Sequence, residues 1–280
     1  MFVFYLNEQT PVFSFYKDLP KSVAINDISY INDGRYKHQL DLYLPKYVDK
    51  FPVVIFVHGG YWRSGDRDYY QTFTGIHGNI GTTLARQGIG TAVISYKLYP
   101  EAGIDEQISD VELASKWVIE NISKYGGDAR NIFIVGHSAG GHLASMVGLD
   151  PKISGKLNGI IAMSSIFSIE DMARDNDDEF NKDISYKMFG NDPRNWKKYS
   201  PVTYYTPSSP AMMILLAEKD FDYMLKQVPM YADKIKNLNP NSEYVSIPHY
   251  IHSDMVAKFG KKDDLVAPIV TSFIKRHIRK

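Results

Sequence analysis

The stretch that decides the fold reads Ile-Phe-Ile-Val-Gly-His-Ser-Ala-Gly-Gly-His-Leu-Ala and spans residues 132–144. Four apolar residues run into a Gly-x-Ser-x-Gly motif, and small residues then recur at helical spacing. The pattern predicts a strand, a tight turn and a helix, with Ser138 at the turn. Glycines on both sides of the serine remove the Cβ atoms that would clash where strand and helix meet. Because serine is a weak nucleophile at its free pKa, hydrolysis through Ser138 requires a histidine base, an orienting acid and donors for an oxyanion.

A second glycine motif follows another apolar strand earlier in the chain. Val53 to Val57 form a continuous apolar run, which leads into His-Gly-Gly-Tyr-Trp-Arg-Ser-Gly-Asp at residues 58–66. A glycine pair at a strand end can turn main-chain N–H groups toward one point, as an oxyanion hole requires. We therefore predict an oxyanion hole made of the N–H groups of Gly60, Tyr61 and Ala139.

The acid and the base are expected after the serine, each at the carboxyl end of a later strand. Asp220 follows the strand that ends at Leu216, and His252 follows the strand that ends at Ile247. In a parallel sheet these ends meet at one edge, so Ser138, Asp220 and His252 are predicted as the catalytic residues. Asp222 and His249 are the competing candidates. His249 and His252 also have metal-ligand spacing, but no third ligand cluster accompanies them, so no metal site is predicted.

Chance matches are a real alternative for short motifs. Gly-x-Ser-x-Gly alone is expected in about one chain in ten of this length, and His-Gly-Gly in about one in twenty. The coincidence of both motifs on strand ends, with an acid and a base in the expected order, favours a hydrolase. His142 lies one helical turn after Ser138 and is interpreted as a packing or capping residue, and His58 as a residue that fixes its own loop.

The rest of the chain alternates strands with helices, which predicts an α/β class with a mostly parallel central sheet flanked by helices. Residues 28–30 and 39–44 are predicted as an antiparallel hairpin at the sheet edge. Further strands are expected at 91–96, 159–163, 211–216 and 243–247, and helices near 79–87, 105–124, 222–237 and 263–277. Residues 164–210 are too long for a simple loop and are predicted to form short helices of a small lid. Residues 27–280 are expected to form one domain, preceded by an arm at residues 1–26.

Composition excludes several classes of function. The 32 basic side chains equal the 32 acidic ones, so no global field favours nucleic acid. The chain has no cysteine, which excludes disulfides and thiolate chemistry. No dinucleotide turn or phosphate loop occurs, and no cofactor is predicted. The N-terminal apolar run is too short for a signal peptide or membrane span, so a cytoplasmic protein without a transmembrane segment is expected. A homodimer is left open.

These motifs resemble the α/β-hydrolase fold, and within it the branch of kynurenine formamidase-like (arylformamidase) carboxylesterases. The residues that carry the resemblance are His58 to Trp62 and Gly136 to His142, with the Tyr-Gly-Gly-Asp sequence at residues 125–128, which precedes the strand that leads to Ser138. The same sequence before this strand is similar to that of the hormone-sensitive-lipase and prenylcysteine-methylesterase relatives. In the lipase relatives a third glycine follows His-Gly-Gly, whereas this chain has Tyr61, which favours the formamidase-like branch.

The resemblance implies a serine esterase or amidase that forms an acyl-enzyme on a small ester or aryl formamide. Trp62 and His137, which flank the predicted oxyanion and nucleophile residues, are assigned to the substrate pocket. Aromatic residues between Trp196 and Tyr205 favour flat, partly apolar substrates. The alternatives are a lipase-like esterase of longer acyl chains and a hydrolase-fold binding module that has lost catalysis.

Overall fold

The computed structural model describes residues 22–68, 75–175, 184, 186–190 and 192–279. Most of the predicted N-terminal arm and the central part of the predicted lid, including three of the six acidic residues of its acidic run, lie outside these residues. Strand β1 begins at Ser22, so residues 22–26 of the predicted arm belong to the sheet.

The described residues contain one sheet of eight strands in the order β1-β2-β4-β3-β5-β6-β7-β8. The strands are β1 (Ser22–Ser29), β2 (Gln39–Pro45), β3 (Phe51–Val57), β4 (Gly90–Ile94), β5 (Gly127–His137), β6 (Leu157–Met163), β7 (Ala211–Lys219) and β8 (Glu243–Ile251). Strand β2 pairs antiparallel with β1 and β4, and all the other pairs are parallel. The predicted edge hairpin and the mostly parallel sheet are confirmed.

Helices cover both faces of the sheet. They are α1 (Gly78–Arg86), α2 (Ile104–Asn121), α3 (Ala139–Leu149), α4 (Pro151–Ser154), α5 (Ile169–Asp175), α6 (Pro193–Lys198), α7 (Asp222–Leu238), α8 (Asp254–Ala257) and α9 (Val266–Arg276). Short 3₁₀ turns occur at Tyr36–His38, Ile122–Tyr125 and Pro201–Thr203. The predicted helices are confirmed to within a few residues, apart from the shorter last helix. No helix in the described part of the chain is both long and apolar enough to cross a bilayer.

The alternation of side chains along β3 explains the two-sided core. Val53, Ile55 and Val57 belong to an apolar cluster that includes residues of α2, α3 and α7. Val54 and Phe56 belong to a second cluster with residues of α1 and α9. Because successive side chains of a strand point to opposite faces, a strand covered on both faces is apolar throughout. We propose that the described residues form one domain, since both clusters lie against the same sheet.

The chain between β6 and β7, residues 164–210, is called the lid segment. It contains α5, α6 and the 3₁₀ turn at Pro201–Thr203, so the prediction of short helices is confirmed for the described part. Its residues 176–183, 185 and 191 lie outside the described residues. The described part packs into the same apolar cluster as α3 and α7 through Met172, Ile184 and Trp196. The lid segment therefore lies on the side of the sheet that carries the helix after Ser138.

Candidate active site

Ser138 lies at the turn between β5 and α3, as the sequence predicts. Its backbone has φ 56° and ψ −126°, a region that non-glycine residues adopt only at a cost. A Cβ on Gly136 would lie 2.2 Å from the carbonyl oxygen of Gly140, so the strand and the helix approach too closely for a side chain. The N–H of Ser138 donates to the carbonyl of Met163 on β6, at 2.9 Å. The serine is thereby held at the carboxyl edge of the sheet.

The glycine loop, residues 58–66, packs directly on this turn. A Cβ on Gly140 would lie 2.2 Å from the carbonyl oxygens of both Val57 and His58, and a Cβ on Gly59 would lie 3.1 Å from Cβ of Ser138. Only glycine allows these backbones to approach so closely. The two sequence motifs are therefore in contact in the folded chain.

The three residues predicted for the oxyanion hole belong to the glycine loop and to the start of α3, the two segments that meet at Ser138. Gly60, Tyr61 and Trp62 have φ values of 119°, 55° and 59°, and the carbonyl of Gly60 accepts the N–H groups of Arg63 and Ser64. Ala139 is the first residue of α3, where an N–H has no acceptor within the helix. Tyr61 and Ala139 line one small cavity together with Ser138. The structure thus brings these residues together, and their role as donors to an oxyanion stays a prediction.

Asp220 and His252 form a hydrogen-bonded pair. Nδ1 of His252 lies 2.8 Å from Oδ1 of Asp220, whose side chain is fully buried. The same Oδ1 accepts the N–H of Phe221 at 2.8 Å. A carboxylate with the imidazole at this distance selects the tautomer with hydrogen on Nδ1, which leaves the lone pair of Nε2 available.

The competing candidates lie elsewhere. Asp222 is exposed at the start of α7. The side chain of His249 is 87% exposed and lies 3.5 Å from Glu218, whose carboxylate also accepts the N–H of His249 at 2.5 Å. Among the described residues, no group of three or more histidine, cysteine, aspartate or glutamate side chains is arranged to hold a metal ion.

His137 was assigned to the substrate pocket, and the structure places it beneath His252. Its Nε2 lies 3.0 Å from the carbonyl oxygen of His252, and the two imidazole rings are 4.6 Å apart. A carbonyl only accepts, so this nitrogen carries the hydrogen. Burial, and then the nearby His252, hold the pKa of His137 well below its ordinary value. His137 therefore supports the loop of His252 as a neutral residue, and contact with substrate stays a prediction for it.

A small cavity opens beside Ser138. Its walls are formed by Tyr61, Trp62, Ala139, Ile166, Met172, Ile184 and Tyr223. A water-sized sphere can occupy about 10 Å³ of it, roughly the space of one water molecule. Trp62 is a wall residue of this cavity, and its contact with substrate stays a prediction. Ile166, Met172, Ile184 and Tyr223 were missed, because isolated apolar or aromatic residues carry no local signal of a pocket.

The first part of the glycine loop is supported by stacked rings. His58 is fully buried, and its Nδ1 lies 2.8 Å from the carbonyl oxygen of Gly59. The ring of Tyr96 stacks on it at 4.4 Å, and the hydroxyl of Tyr96 donates to the His58 carbonyl at 2.8 Å. Burial, followed by the proximity of His77, lowers the pKa of His58 to about 3. The interpretation of His58 as a residue that fixes its own loop agrees with these contacts.

The end of the glycine loop is anchored by a buried ionic network that sequence reasoning missed. The guanidinium of Arg67 is 1% exposed and bonds Asp41 of β2 at 3.1 Å and the hydroxyl of Ser95 at 3.1 Å. Asp66 accepts bonds from Lys37 and from the hydroxyl of Ser95. A charge is stable in the interior only when it is paired and hydrogen-bonded. The network therefore ties the end of the loop to the sheet beneath it.

The sheet, the turn at Ser138 and the carboxylate–imidazole pair at the same edge define an α/β-hydrolase fold. The chain belongs to the BD-FAE family, whose model matches residues 40–235. Its relatives are esterase-type hydrolases.

Three comparisons illustrate the likeness. The probable isoprenylcysteine α-carbonyl methylesterase of Oryza sativa subsp. japonica is 26% identical over 269 residues, which cover 87% of this chain and 62% of the relative. The kynurenine formamidase of Drosophila melanogaster is 22% identical over 251 residues, 86% of this chain and 79% of the relative. The crystal structure of esterase B from Lactobacillus rhamnosis superposes with a TM-score of 0.75 at 19% identity, covering 92% of this chain and 88% of the other. This chain spans less than two thirds of the length of the plant methylesterase.

Proposed function

We propose that this chain is a serine hydrolase that cleaves small carboxylic esters or aryl formamides through an acyl-enzyme. The observation that carries the proposal is the 2.8 Å hydrogen bond between His252 and the buried carboxylate of Asp220, at the sheet edge where Ser138 is held in a strained turn. Such a pair turns a weak nucleophile into an effective one.

In the proposed reaction, Nε2 of His252 takes the proton of the Ser138 hydroxyl as its oxygen attacks the substrate carbonyl carbon. Asp220 keeps the imidazole in the required tautomer and stabilises its charged form. The tetrahedral intermediate collapses when His252 gives the proton to the leaving alcohol or amine. Water, deprotonated by the same nitrogen, then releases the acid and regenerates Ser138.

The oxyanion that forms in both steps needs donors that are in place before the reaction. We assign this role to the N–H groups of Gly60, Tyr61 and Ala139. The close approach of Gly59 and Gly140 to the opposing backbones supports the assignment, because it fixes the glycine loop relative to Ser138.

The cavity beside Ser138 supports a small acyl group. Its space of about 10 Å³ is of the size of one water molecule, which suits a formyl or acetyl group and opposes the lipase-like alternative with longer chains. The ring of Phe221 lies 4.6 Å from the ring of His252 and 6.3 Å from that of Tyr61. These rings offer a surface on which an aromatic leaving group can stack.

An arylformamidase activity is the second candidate, favoured by this aromatic surface and by the kynurenine formamidase among the relatives. The test is the ratio of kcat/KM for N-formylkynurenine to that for p-nitrophenyl acetate. A formamidase should favour the formamide by at least ~10²-fold, because hydrogen bonds made only in its transition state discriminate strongly. Rapid hydrolysis of p-nitrophenyl acetate without detectable hydrolysis of N-formylkynurenine excludes the formamidase and leaves the esterase.

The hydrolase proposal itself is tested with Ser138→Ala. We expect wild-type protein to hydrolyse p-nitrophenyl acetate and to be labelled by a fluorophosphonate, and the variant to do neither while keeping the wild-type circular dichroism spectrum. Ser123→Ala, at an exposed serine, is the matched control and should behave as wild type. A wild-type protein that is neither active nor labelled contradicts the proposal and favours the binding module.

A further inference from the structure

His142 lies one turn along α3 from Ser138 but does not line the cavity. Its N–H donates to the carbonyl of Ser138 at 3.1 Å, and its side chain is completely buried. It is among the most deeply buried polar residues of the described chain, and the proposed reaction does not use it. Because buried polar groups are almost always hydrogen-bonded, both nitrogens of this imidazole are expected to have partners.

Both ring nitrogens of His142 have partners whose chemistry fixes one tautomer. Nε1 of Trp62 lies 3.3 Å from Nδ1 of His142, and an indole N–H can only donate. Nε2 of His142 lies 2.7 Å from the carbonyl oxygen of Tyr199, which can only accept. Hydrogen therefore resides on Nε2, and Nδ1 accepts from Trp62. Burial lowers the pKa of His142 to about 4, so the ring stays neutral near neutral pH.

Trp62 is held on all sides. Its carbonyl accepts the side-chain amide of Gln107 and the N–H of Tyr99, both at 2.9 Å. Its indole meets the ring of Phe189 edge-on at 5.1 Å and that of His142 at 5.4 Å. Its backbone is left-handed, directly after Tyr61. The direction of the indole is therefore coupled to the conformation of the glycine loop beside Ser138.

Tyr199 is itself fixed at both of its polar groups. Its carbonyl accepts from His142, and its hydroxyl donates to Asp105 of α2 at 2.9 Å. Tyr199 directly follows α6 in the lid segment. The lid segment thus supplies the carbonyl that selects the tautomer of His142. In this tautomer Nδ1 of His142 is an acceptor, and it faces Trp62 of the glycine loop.

We propose that His142 is a positioning residue for Trp62. In the tautomer that the Tyr199 carbonyl selects, His142 accepts the indole N–H of Trp62. Through Trp62 it holds the oxyanion donors of the glycine loop in register with Ser138. This inference rests on the proposed function. It assigns to His142 a role in the transition state without contact with substrate.

The kinetic test compares His142→Phe, which keeps a ring of similar size without either hydrogen bond, with His142→Gln, which keeps one acceptor and one donor. A displacement of oxyanion donors by a fraction of an ångström acts on the transition state. We expect His142→Phe to lower kcat for p-nitrophenyl acetate by about 10- to 100-fold with KM changed less than about twofold, and His142→Gln to recover most of the rate. A rise in KM at unchanged kcat overturns the proposal.

A double-mutant cycle separates positioning through Trp62 from a general packing defect. Trp62→Phe removes the indole donor and should lower kcat on its own. In that background His142→Phe should have a much smaller effect, because residues that act through one contact are not additive. Equal losses in both backgrounds, or wild-type kcat for Trp62→Phe, contradict the inference. If His142→Phe does not fold, wild-type kcat for Trp62→Phe still overturns the inference.

A readout that needs no activity keeps this inference distinct from the proposed function. The ¹H–¹⁵N signal of the Trp62 indole, assigned by its loss in Trp62→Phe, reports the hydrogen bond to His142. We expect it to move upfield in His142→Phe and to stay near the wild-type position in His142→Gln. An unchanged signal in His142→Phe overturns the inference, whereas a wild-type protein without hydrolase activity overturns the proposed function and leaves this bond as observed.

Discussion

The carboxylate of Asp220 and the Nδ1 nitrogen of His252 are 2.8 Å apart, although 31 residues separate them along the chain. Asp220 directly follows β7 and His252 directly follows β8, and these strands are adjacent and parallel, so both side chains reach the same sheet edge. Asp222, two residues further on, lies exposed at the start of α7. The pair is therefore produced by the register of two strands and not by a local motif.

Asp220→Asn should lower kcat by about 10³- to 10⁴-fold, because an amide can donate to Nδ1 and favours the unproductive tautomer. The fold should persist, since the amide is nearly isosteric. Steady-state kinetics with p-nitrophenyl acetate measure the loss. Asp222→Asn is the matched control and should remain within about twofold of wild type. A large loss in the control instead would identify Asp222 as the acid.

Met172→Ala should extend the range of acyl chains. Met172 belongs to the cavity wall beside Ser138, and its truncation creates room that a butyryl group can fill. We expect kcat/KM for p-nitrophenyl butyrate to rise at least about tenfold relative to the acetate, a difference of about 1.4 kcal/mol. Met230→Ala, at an exposed methionine, is the control. An unchanged chain-length profile in Met172→Ala contradicts the assignment of this cavity to the acyl group.

Gly140→Ala should damage stability and activity together. The added Cβ would lie 2.2 Å from the carbonyl oxygens of Val57 and His58, and backbone at that distance must move. We expect the free energy of unfolding to fall by about 2 kcal/mol or more, measured by urea denaturation, with kcat reduced in the folded fraction. Gly155→Ala, where nothing lies within 4 Å of the new Cβ, should keep wild-type values for both. Equal free energies of unfolding for the two variants would contradict this prediction and show that the glycine loop can move away from the new Cβ at little cost.

The buried histidines should make the protein less stable in mild acid. Burial lowers the pKa of His142 from 6.5 to about 4 and that of His77 to about 4, so below pH 6.5 the unfolded chain binds more protons than the folded one. Stability is then complete above about pH 6.5 and is lost as the pH falls toward 4. At about 1.4 kcal/mol per pKa unit, His142 alone accounts for about 3 kcal/mol.

Urea denaturation at pH values between 7 and 4 measures this slope. His142→Gln should flatten it, because the variant has no group to protonate at that position. His249→Gln should leave it unchanged, since the side chain of His249 is 87% exposed. A wild-type slope in His142→Gln would show that other groups dominate acid unfolding.

Sequence reasoning succeeded where local pattern and chain order suffice. The apolar runs of β3 and β5 and the turn at Ser138 are found where the pattern predicts them. The meeting of Asp220 and His252 follows from strand ends in a parallel sheet, and their catalytic role stays a prediction. The N-terminal boundary was misplaced because the polar residues of β1 are only partly buried and show weak alternation. The sequence assigns His137 to the substrate pocket, and this assignment stays a prediction. Its hydrogen bond to the carbonyl of His252 is a contact that no local pattern reveals.

The cavity walls and the support of the glycine loop could not be predicted. Trp62 and His142 are 80 residues apart and His142 and Tyr199 are 57 apart, and such contacts leave no periodic signature. Likewise, nothing in the local sequence distinguishes Arg67 from an exposed charged residue, and only the fold shows its buried ion pair with Asp41 of β2. In each case the missing information is which distant segment packs against the motif.

The interlocked glycines have a consequence for how this protein can change over evolutionary time. A side chain at Gly59, Gly136 or Gly140 would collide with the opposing segment. Substitutions at these positions are therefore excluded unless the glycine loop and the turn at Ser138 change together. The described part of the lid segment contributes Ile166, Met172 and Ile184 to the cavity wall. It contacts the support of the loop through the carbonyl of Tyr199 and the ring of Phe189. New substrate ranges are therefore accessible by remodelling that segment, through insertion, deletion or recombination, while the chemistry is carried forward intact.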